Sequence, residues 1–348
     1  MKRLIGITLF VIILIVLTTV SGNIINEERH PVRIKRRGTA VVITGAAARI
    51  PQEAALLEQL FNKGMLHDVI FISGVSSGSL NTVVLNAILN QRFTWDRYKR
   101  ILFSLRNKDV FIQKEKSLPV DTRPLHNLLT SIACDSLGYK KLGDLPIACA
   151  ISIANFEMPL FTERTYRLSN LKINSESDPD LDLVDVLMAS TSFPVAFPPV
   201  KIANARTIPD VSYIDGGIAE DHVPFEALLE YEKYRKIEVE RLFIVSRKND
   251  EKPEISEELK ILGVNDFGLF DHLGISLDDL TKEGFIKRLK ALKEEAPSLA
   301  SRTFVYVPGF KENFLVFDFN DLKEQYDVTS LWARNNEPVL LDDYLSDK

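Results

Sequence analysis

The sequence predicts an α/β fold: a three-layer sandwich around a central, mostly parallel β-sheet. Two strand–turn–helix units in immediate succession carry that expectation. Residues 39–44 form an apolar strand that runs through Gly45-Ala46-Ala47-Ala48-Arg49 into a helix opened by Pro51 and stopped by Gly64. Residues 69–72 form a second apolar run that enters Gly74-Val75-Ser76-Ser77-Gly78, after which Leu80, Val83, Val84 and Ala87 recur at helical spacing. Such units imply parallel pairing with right-handed crossovers. A third observation is that no stretch between residues 38 and 335 has the composition of a linker, so this span reads as one domain.

The later elements follow from the same patterns. Residues 94–133 read as amphipathic helices with a break near 116–119. Residues 146–156 and 160–168 read as adjacent strands of a hairpin. A short helix over 182–192 leads into Phe193-Pro194-Val195-Ala196-Phe197-Pro198-Pro199, a rigid apolar loop read mainly as packing. Residues 211–214 make a short strand ending at Asp215-Gly216-Gly217. A helix over 223–234 and a core strand over 241–246 come next. Residues 253–300 read as mostly helical, 303–307 and 314–319 as late strands, and 321–332 as a packing helix. Residues 336–348 are an acidic tail expected to be loose.

The chain has 348 residues and a formal net charge of −5, which argues against general nucleic-acid binding. Cys134 and Cys149 are the only cysteines, too few for a disulfide framework. Five scattered histidines suggest no zinc site, and no metal is expected. At the N-terminus, Lys2-Arg3 precede an apolar stretch over 4–20, and Val20-Ser21-Gly22 place small residues where a signal peptidase could cut. Residues 1–22 therefore read as a signal peptide or a membrane anchor, and 23–37 as an exposed linker. The basic residues Arg33, Lys35, Arg36 and Arg37 on the far side favour an anchor with the domain in the cytoplasm; a cleaved segment would make the protein secreted or periplasmic.

The chemistry centres on Ser76. A strand, a tight turn with serine at its tip and a helix behind it form a nucleophile elbow. The helix N-terminus offers free N–H groups and a positive dipole end where an oxyanion would form. A serine hydroxyl needs a base. Asp215 ends a strand before two glycines, and strand tips of a parallel sheet are where ligands bind. A carboxylate with an ordinary pKa of about 4 would be a weak base, so catalysis would lean on positioning and oxyanion stabilisation. Ser76, Asp215 and His272 also follow the order of an α/β-hydrolase triad, although the elbow comes too early in the chain for that layout. His222 reads as a loop residue. The expected oxyanion donors are the N–H of Ser77 and those of the loop Gly45-Ala46-Ala47.

These motifs together resemble the patatin-like phospholipase family. The resemblance rests on Gly45-Ala46-Ala47-Ala48-Arg49 after the first strand, Gly74-Val75-Ser76-Ser77-Gly78 after the second, Asp215-Gly216-Gly217, and the Ala189–Val200 stretch with its Phe-Pro and Phe-Pro-Pro pairs. It spans about residues 38–246. It implies a Ser76/Asp215 dyad, no histidine base, no cofactor, and hydrolysis of acyl esters of lipids at a membrane surface through an acyl-enzyme. It also implies supporting roles for Gly74, Gly78, Gly216 and Gly217, and an anion-steering role for Arg49. The sequence departs from the family's mostly glycine oxyanion loop at Ala46, Ala47, Ala48 and Ile50. Alanine keeps its N–H but pays about 1 kcal/mol to take a positive φ. That departure supports the alternative of a catalytically weak lipid- or protein-binding relative.

Overall fold

The computed structural model describes residues 35–113, 118–156, 164–219, 221–249, 255–263 and 282–346. The chain divides into two units, Met1–Lys35 and Arg36–Lys348, and the main sheet, its helices and the candidate site all belong to the second. Strand β1 is Thr39–Ile43, α1 Ile50–Asn62, β2 Val69–Val75 and α2 Ser77–Leu89. Helices α3 (Trp95–Ser104) and α4 (Arg123–Thr130) follow, then β3 (Ala148–Asn155), β4 (Thr165–Ser169) and α5 (Leu183–Ser190). The remaining elements are β5 (Val200–Lys201), β6 (Ser212–Asp215), α6 (Glu226–Arg235), β7 (Arg241–Val245), α7 (Lys282–Glu295), β8 (Thr303–Tyr306), α8 (Leu322–Arg334), β9 (Val339–Leu340) and α9 (Leu341–Ser346).

The main sheet runs β9-β8-β7-β1-β2-β3-β6-β5, with β4 also paired to β3. Strands β8, β7, β1, β2 and β3 are mutually parallel; β4, β5, β6 and β9 pair antiparallel. The sheet is therefore mixed at its flanks and parallel in its centre, as buried central strands of continuous apolar residues require.

Side chains alternate across the sheet, and the alternation builds two cores. Val41, Ile43, Ile72, Ile151 and Val245 face one, which includes residues of α1, α2, α3, α4, α5 and α8. Ala40, Val42, Phe71, Ala150 and Ile244 face the other, against α6, α7 and α9. Each fully buried Val, Leu or Ile contributes about 1.5–3 kcal/mol of transfer free energy, so both faces stabilise the central strands. The arrangement is three-layered.

Several local expectations meet a different outcome. Residues 314–319 form no strand. The segment crosses beside the oxyanion loop instead, where the Val316 carbonyl accepts from the Ala48 N–H (2.7 Å) and the Glu258 carboxylate accepts from the Val316 and Phe317 N–H groups. The acidic C-terminal stretch carries structure: β9 pairs with β8, and Leu341 is fully buried. Cys134 and Cys149 are both free thiols. No helix among the described residues is long and apolar enough to cross a membrane; the apolar stretch 4–20 lies outside them.

Candidate active site

Strand β2 delivers Ser76, and the turn is tight enough to force unusual backbone geometry. Ser76 has φ 55° and ψ −135°, outside the comfortable regions for an L-residue, and α2 starts at the next position. Such strain persists only when the surroundings impose it. Here the Ser76 N–H donates to the Ser190 hydroxyl (3.0 Å), the Ser190 hydroxyl donates to the Ser152 carbonyl (2.9 Å), and the Ser76 carbonyl accepts from both the N–H (2.9 Å) and the hydroxyl (2.5 Å) of Ser79. Gly78 lets the start of α2 lie against the end of β1: a Cβ there would sit 2.1 Å from the Thr44 carbonyl oxygen. Gly45 serves Ser76 directly, since a Cβ on it would come within 2.9 Å of the serine Cβ. Gly74 lies against Gly78 and Thr82, and Gly216 against the backbone of Ser152 and Ile153.

Asp215 reaches Ser76 across β3. Val75 pairs with Ser152 and Ile153 pairs with Asp215, so one strand separates the two side chains in the sheet. The strand that carries Asp215 is antiparallel to β3, not a member of the parallel centre. Its backbone is fixed by an N–H donated to the Ser192 carbonyl (3.0 Å), and its Oδ1 accepts the Gly217 N–H (2.8 Å). The side chain is 2% exposed. Burial pushes the carboxyl up to about 7; the facing Ser76 hydroxyl and the Gly217 N–H offset part of that push. The ordinary carboxylate value of about 4 expected for Asp215 is thus corrected: desolvation holds the carboxyl in the neutral range.

One of the expected oxyanion donors is already engaged within the protein. Ala46 has φ −136°, and its N–H donates to the Ser77 hydroxyl (2.9 Å), so it is not aimed at a substrate. Ala47 takes the positive φ, 46°. The N–H groups of Ala47 and Ser77 have no hydrogen-bond partner among the described residues, and both residues border a cavity together with Ser76. Arg49 is buried, and its Nε donates to the Phe314 carbonyl (2.7 Å), tying the 314–319 segment over the loop. Behind the loop, Glu53 is fully buried; its carboxyl accepts from Thr44 (3.0 Å) and Asn81 (3.1 Å), and burial pushes it up to about 8.

Two cavities meet at Ser76. One is almost wholly apolar and runs between α2, α3, α4 and the 193–197 loop, with Leu80, Val84, Leu102, Leu129, Phe197 and Phe317 in its wall. The 193–197 loop is therefore both packing and cavity wall, and Val195 within it has φ 71°. The second cavity is smaller and is lined by Gly45, Asp215, Gly217, His222 and Arg247. His222 lies in a turn, as expected, and is buried there; His272 lies outside the described residues. Among the described residues no cluster of His, Cys, Asp and Glu has a metal-holding arrangement.

The sequence did not single out Ser190 or Ser192 by any property of their own. They stand within the 189–200 stretch that resembles the family loop, and their roles depend on hydrogen bonds to residues more than twenty positions away.

A family model described as patatin-like phospholipase matches residues 41–229. The crystal structure of VipD from Legionella pneumophila is similar at 11% identity with a TM-score of 0.47, over 87% of this chain and 68% of that one. The type III effector protein ExoU is similar at 12% identity with a TM-score of 0.39, over 90% of this chain; the match spans 53%, about half, of that chain. ExoU in complex with SpcU, from Pseudomonas aeruginosa, gives 13% identity and a TM-score of 0.30, over 76% of this chain and 60% of that one. No curated protein sequence matches. These structural likenesses are remote, and the family assignment rests on the 41–229 match.

Proposed function

The chain belongs to the patatin-like phospholipase family, and on that premise we propose that it is a serine acyl hydrolase that cleaves acyl esters of lipids through Ser76 and Asp215. The observation that carries this reading is the position of Ser76 between an apolar cavity and the buried carboxyl of Asp215.

An acyl chain fits the chemistry of the apolar cavity, whose wall offers aliphatic and aromatic side chains. The ester carbonyl then lies at Ser76. The Asp215 carboxylate takes the hydroxyl proton as Oγ bonds to the carbonyl carbon. The Ala47 and Ser77 N–H groups, reinforced by the N-terminus of α2, stabilise the oxyanion. Collapse expels the alcohol, which recovers the proton from Asp215 and leaves an acyl group on Ser76. Water repeats the sequence: it adds to the carbonyl carbon, Asp215 takes its proton, and the C–Oγ bond breaks to return the acid and the serine. These steps call on protein groups and water alone. Membrane lipid is the natural source of such esters, and the apolar segment 4–20 would hold the site at a bilayer.

Hydrolysis of a medium-chain p-nitrophenyl ester and of phosphatidylcholine vesicles by the full chain tests this. Wild type should release acid from both, and Ser76→Ala and Asp215→Asn should each lose about three orders of magnitude or more. A folded wild type inert on both substrates would sink the hydrolase reading and leave a lipid-binding relative.

A further inference from the structure

His222 plays no part in the dyad, yet its surroundings are unusual. It lines the small cavity that holds Ser76 and Asp215, and it also lines a separate polar pocket with Arg167, Ala219, Glu226 and Arg288. Among the described residues it is the one member common to both walls. The imidazole is 2% exposed, rests edge-on against Phe285 (centroids 6.4 Å apart, 87°), and has no hydrogen-bond partner among the described residues at either Nδ1 or Nε2. Burial and the nearby positive charges of Arg247 and Arg288 push its pKa down to about 3, so the ring is neutral near neutral pH. A neutral imidazole presents one donor and one acceptor. Glu226 Oε2 and Arg288 Nε, from the wall of the same polar pocket, are likewise buried without a hydrogen-bond partner among the described residues.

These atoms are closed to solvent in the resting structure, and each left without a hydrogen bond costs about 1–3 kcal/mol, a cost that a water admitted beside them offsets. Ion pairs fix residues of the pocket wall. Arg167 forms a two-pronged ion pair with Asp221 (2.8 and 2.6 Å), Asp221 accepts from the Ser152 hydroxyl (2.7 Å), and Arg288 pairs with Glu226. The apolar cavity is the opposite case. Once an acyl chain fills it, it offers water neither space nor partners.

We propose that this polar pocket is the port through which the deacylating water reaches the Ser76 acyl-enzyme, with His222 as the residue that positions that water toward Asp215. The inference rests on the acyl-hydrolase reading of Ser76 and Asp215. The water oxygen bonds to the acyl carbon and its proton passes to the Asp215 carboxylate. The C–Oγ bond then breaks, Ser76 regains a proton from Asp215, and the fatty acid leaves. His222 itself exchanges no proton with substrate; it orients the water through one ring nitrogen.

Acylation needs no water and deacylation does, so the two steps separate the port from a merely structural role. The experiment follows p-nitrophenol release by stopped flow and the acyl adduct on Ser76 by intact mass, using the full chain. In His222→Phe, acylation should keep its wild-type rate while decay of the adduct slows about tenfold or more, so that acyl-enzyme accumulates. His222→Gln, which keeps a donor and an acceptor, should restore the decay. Ala219→Leu narrows the pocket from its half-buried wall, leaves His222 in place, and should slow decay in the same way. Equal loss of acylation and deacylation in these variants, or unchanged decay in all of them, overturns the port while the dyad stands. Absence of any adduct or turnover in wild type overturns the hydrolase reading and the port with it.

Discussion

The N–H of Ser76 donates to the hydroxyl of Ser190, a residue 114 positions later, and so holds the elbow in its strained conformation. The same hydroxyl donates to the Ser152 carbonyl, which ties the elbow to the neighbouring strand. Ser190→Ala leaves a buried N–H and a buried carbonyl short of a partner, at about 1–3 kcal/mol. We expect a lower melting temperature and a fall in kcat of about 10–100-fold, because Ser76 shifts from its attacking position. Equal kcat in wild type and variant would show that the elbow holds itself.

On the proposed mechanism, Asp215 sets the pH dependence of activity. Its carboxyl titrates near 7, raised by burial, and only the ionised form accepts the Ser76 proton. The kcat/KM profile should rise with pH to a plateau, with a midpoint about 7 rather than the ordinary 4. A profile already flat above pH 5 would contradict it. Stability runs the other way. The folded carboxyl binds its proton more tightly than the unfolded one, so its contribution is fully present below the unfolded value. It is lost as pH rises through about 7. Asp215→Asn should therefore gain thermal stability over wild type above pH 7 while losing activity.

Glu53 behaves similarly behind the oxyanion loop. Burial raises its carboxyl from the ordinary range to about 8, against the opposing pull of Thr44, Asn81 and Arg247. Its stabilising contribution is complete below the unfolded value and declines as pH rises through 8. Glu53→Gln should flatten that decline, giving a variant close to wild type near pH 4 and increasingly more stable than wild type up to pH 9 in thermal melts. A wild-type curve with no loss between those values would argue against a buried neutral carboxyl.

Ala47 sits at φ 46°, where an L-side chain costs about 1 kcal/mol. Ala47→Gly relieves that strain but frees the unfolded chain, so stability should change by less than about 1 kcal/mol and activity should be kept or raised. Ala47→Val should lower both, since a β-branched side chain is disfavoured there. Identical kinetics in all three chains would remove Ala47 from the oxyanion hole.

Gly78 tolerates no side chain. A Cβ would meet the Thr44 carbonyl oxygen at 2.1 Å and the Ile43 oxygen at 2.7 Å, both backbone atoms of the central strand. Gly78→Ala should be strongly destabilised or insoluble, whereas Gly64→Ala, where a Cβ meets nothing, should cost only the strain of its positive φ, about 1–2 kcal/mol. Comparable melting temperatures for the two variants would show that the elbow can relax.

The strand–turn–helix units, the elbow serine and the aspartate before two glycines were legible along the chain because each is a local pattern. Periodicity, a glycine where a turn crowds, and a carboxylate at a strand end are encoded within a few residues. Asp215 was a candidate partner for Ser76, 139 positions away, from its place at a strand end, and the resemblance favoured it over the order that includes His272. What the tertiary structure alone decided depends on burial and on distant partners. Desolvation raised the Asp215 carboxyl from the ordinary range to about 7. The Ser77 hydroxyl claimed the N–H of Ala46, one of the expected oxyanion donors. Residues 314–319 look like a strand by composition, but their backbone is satisfied by Ala48 and Glu258 rather than by a neighbouring strand. The strand bearing Asp215 runs antiparallel because its place beside β3 is set by sheet pairing, which no local pattern records. The chemistry of each group was written in its residue type; its strength and direction were set by what the fold packed around it.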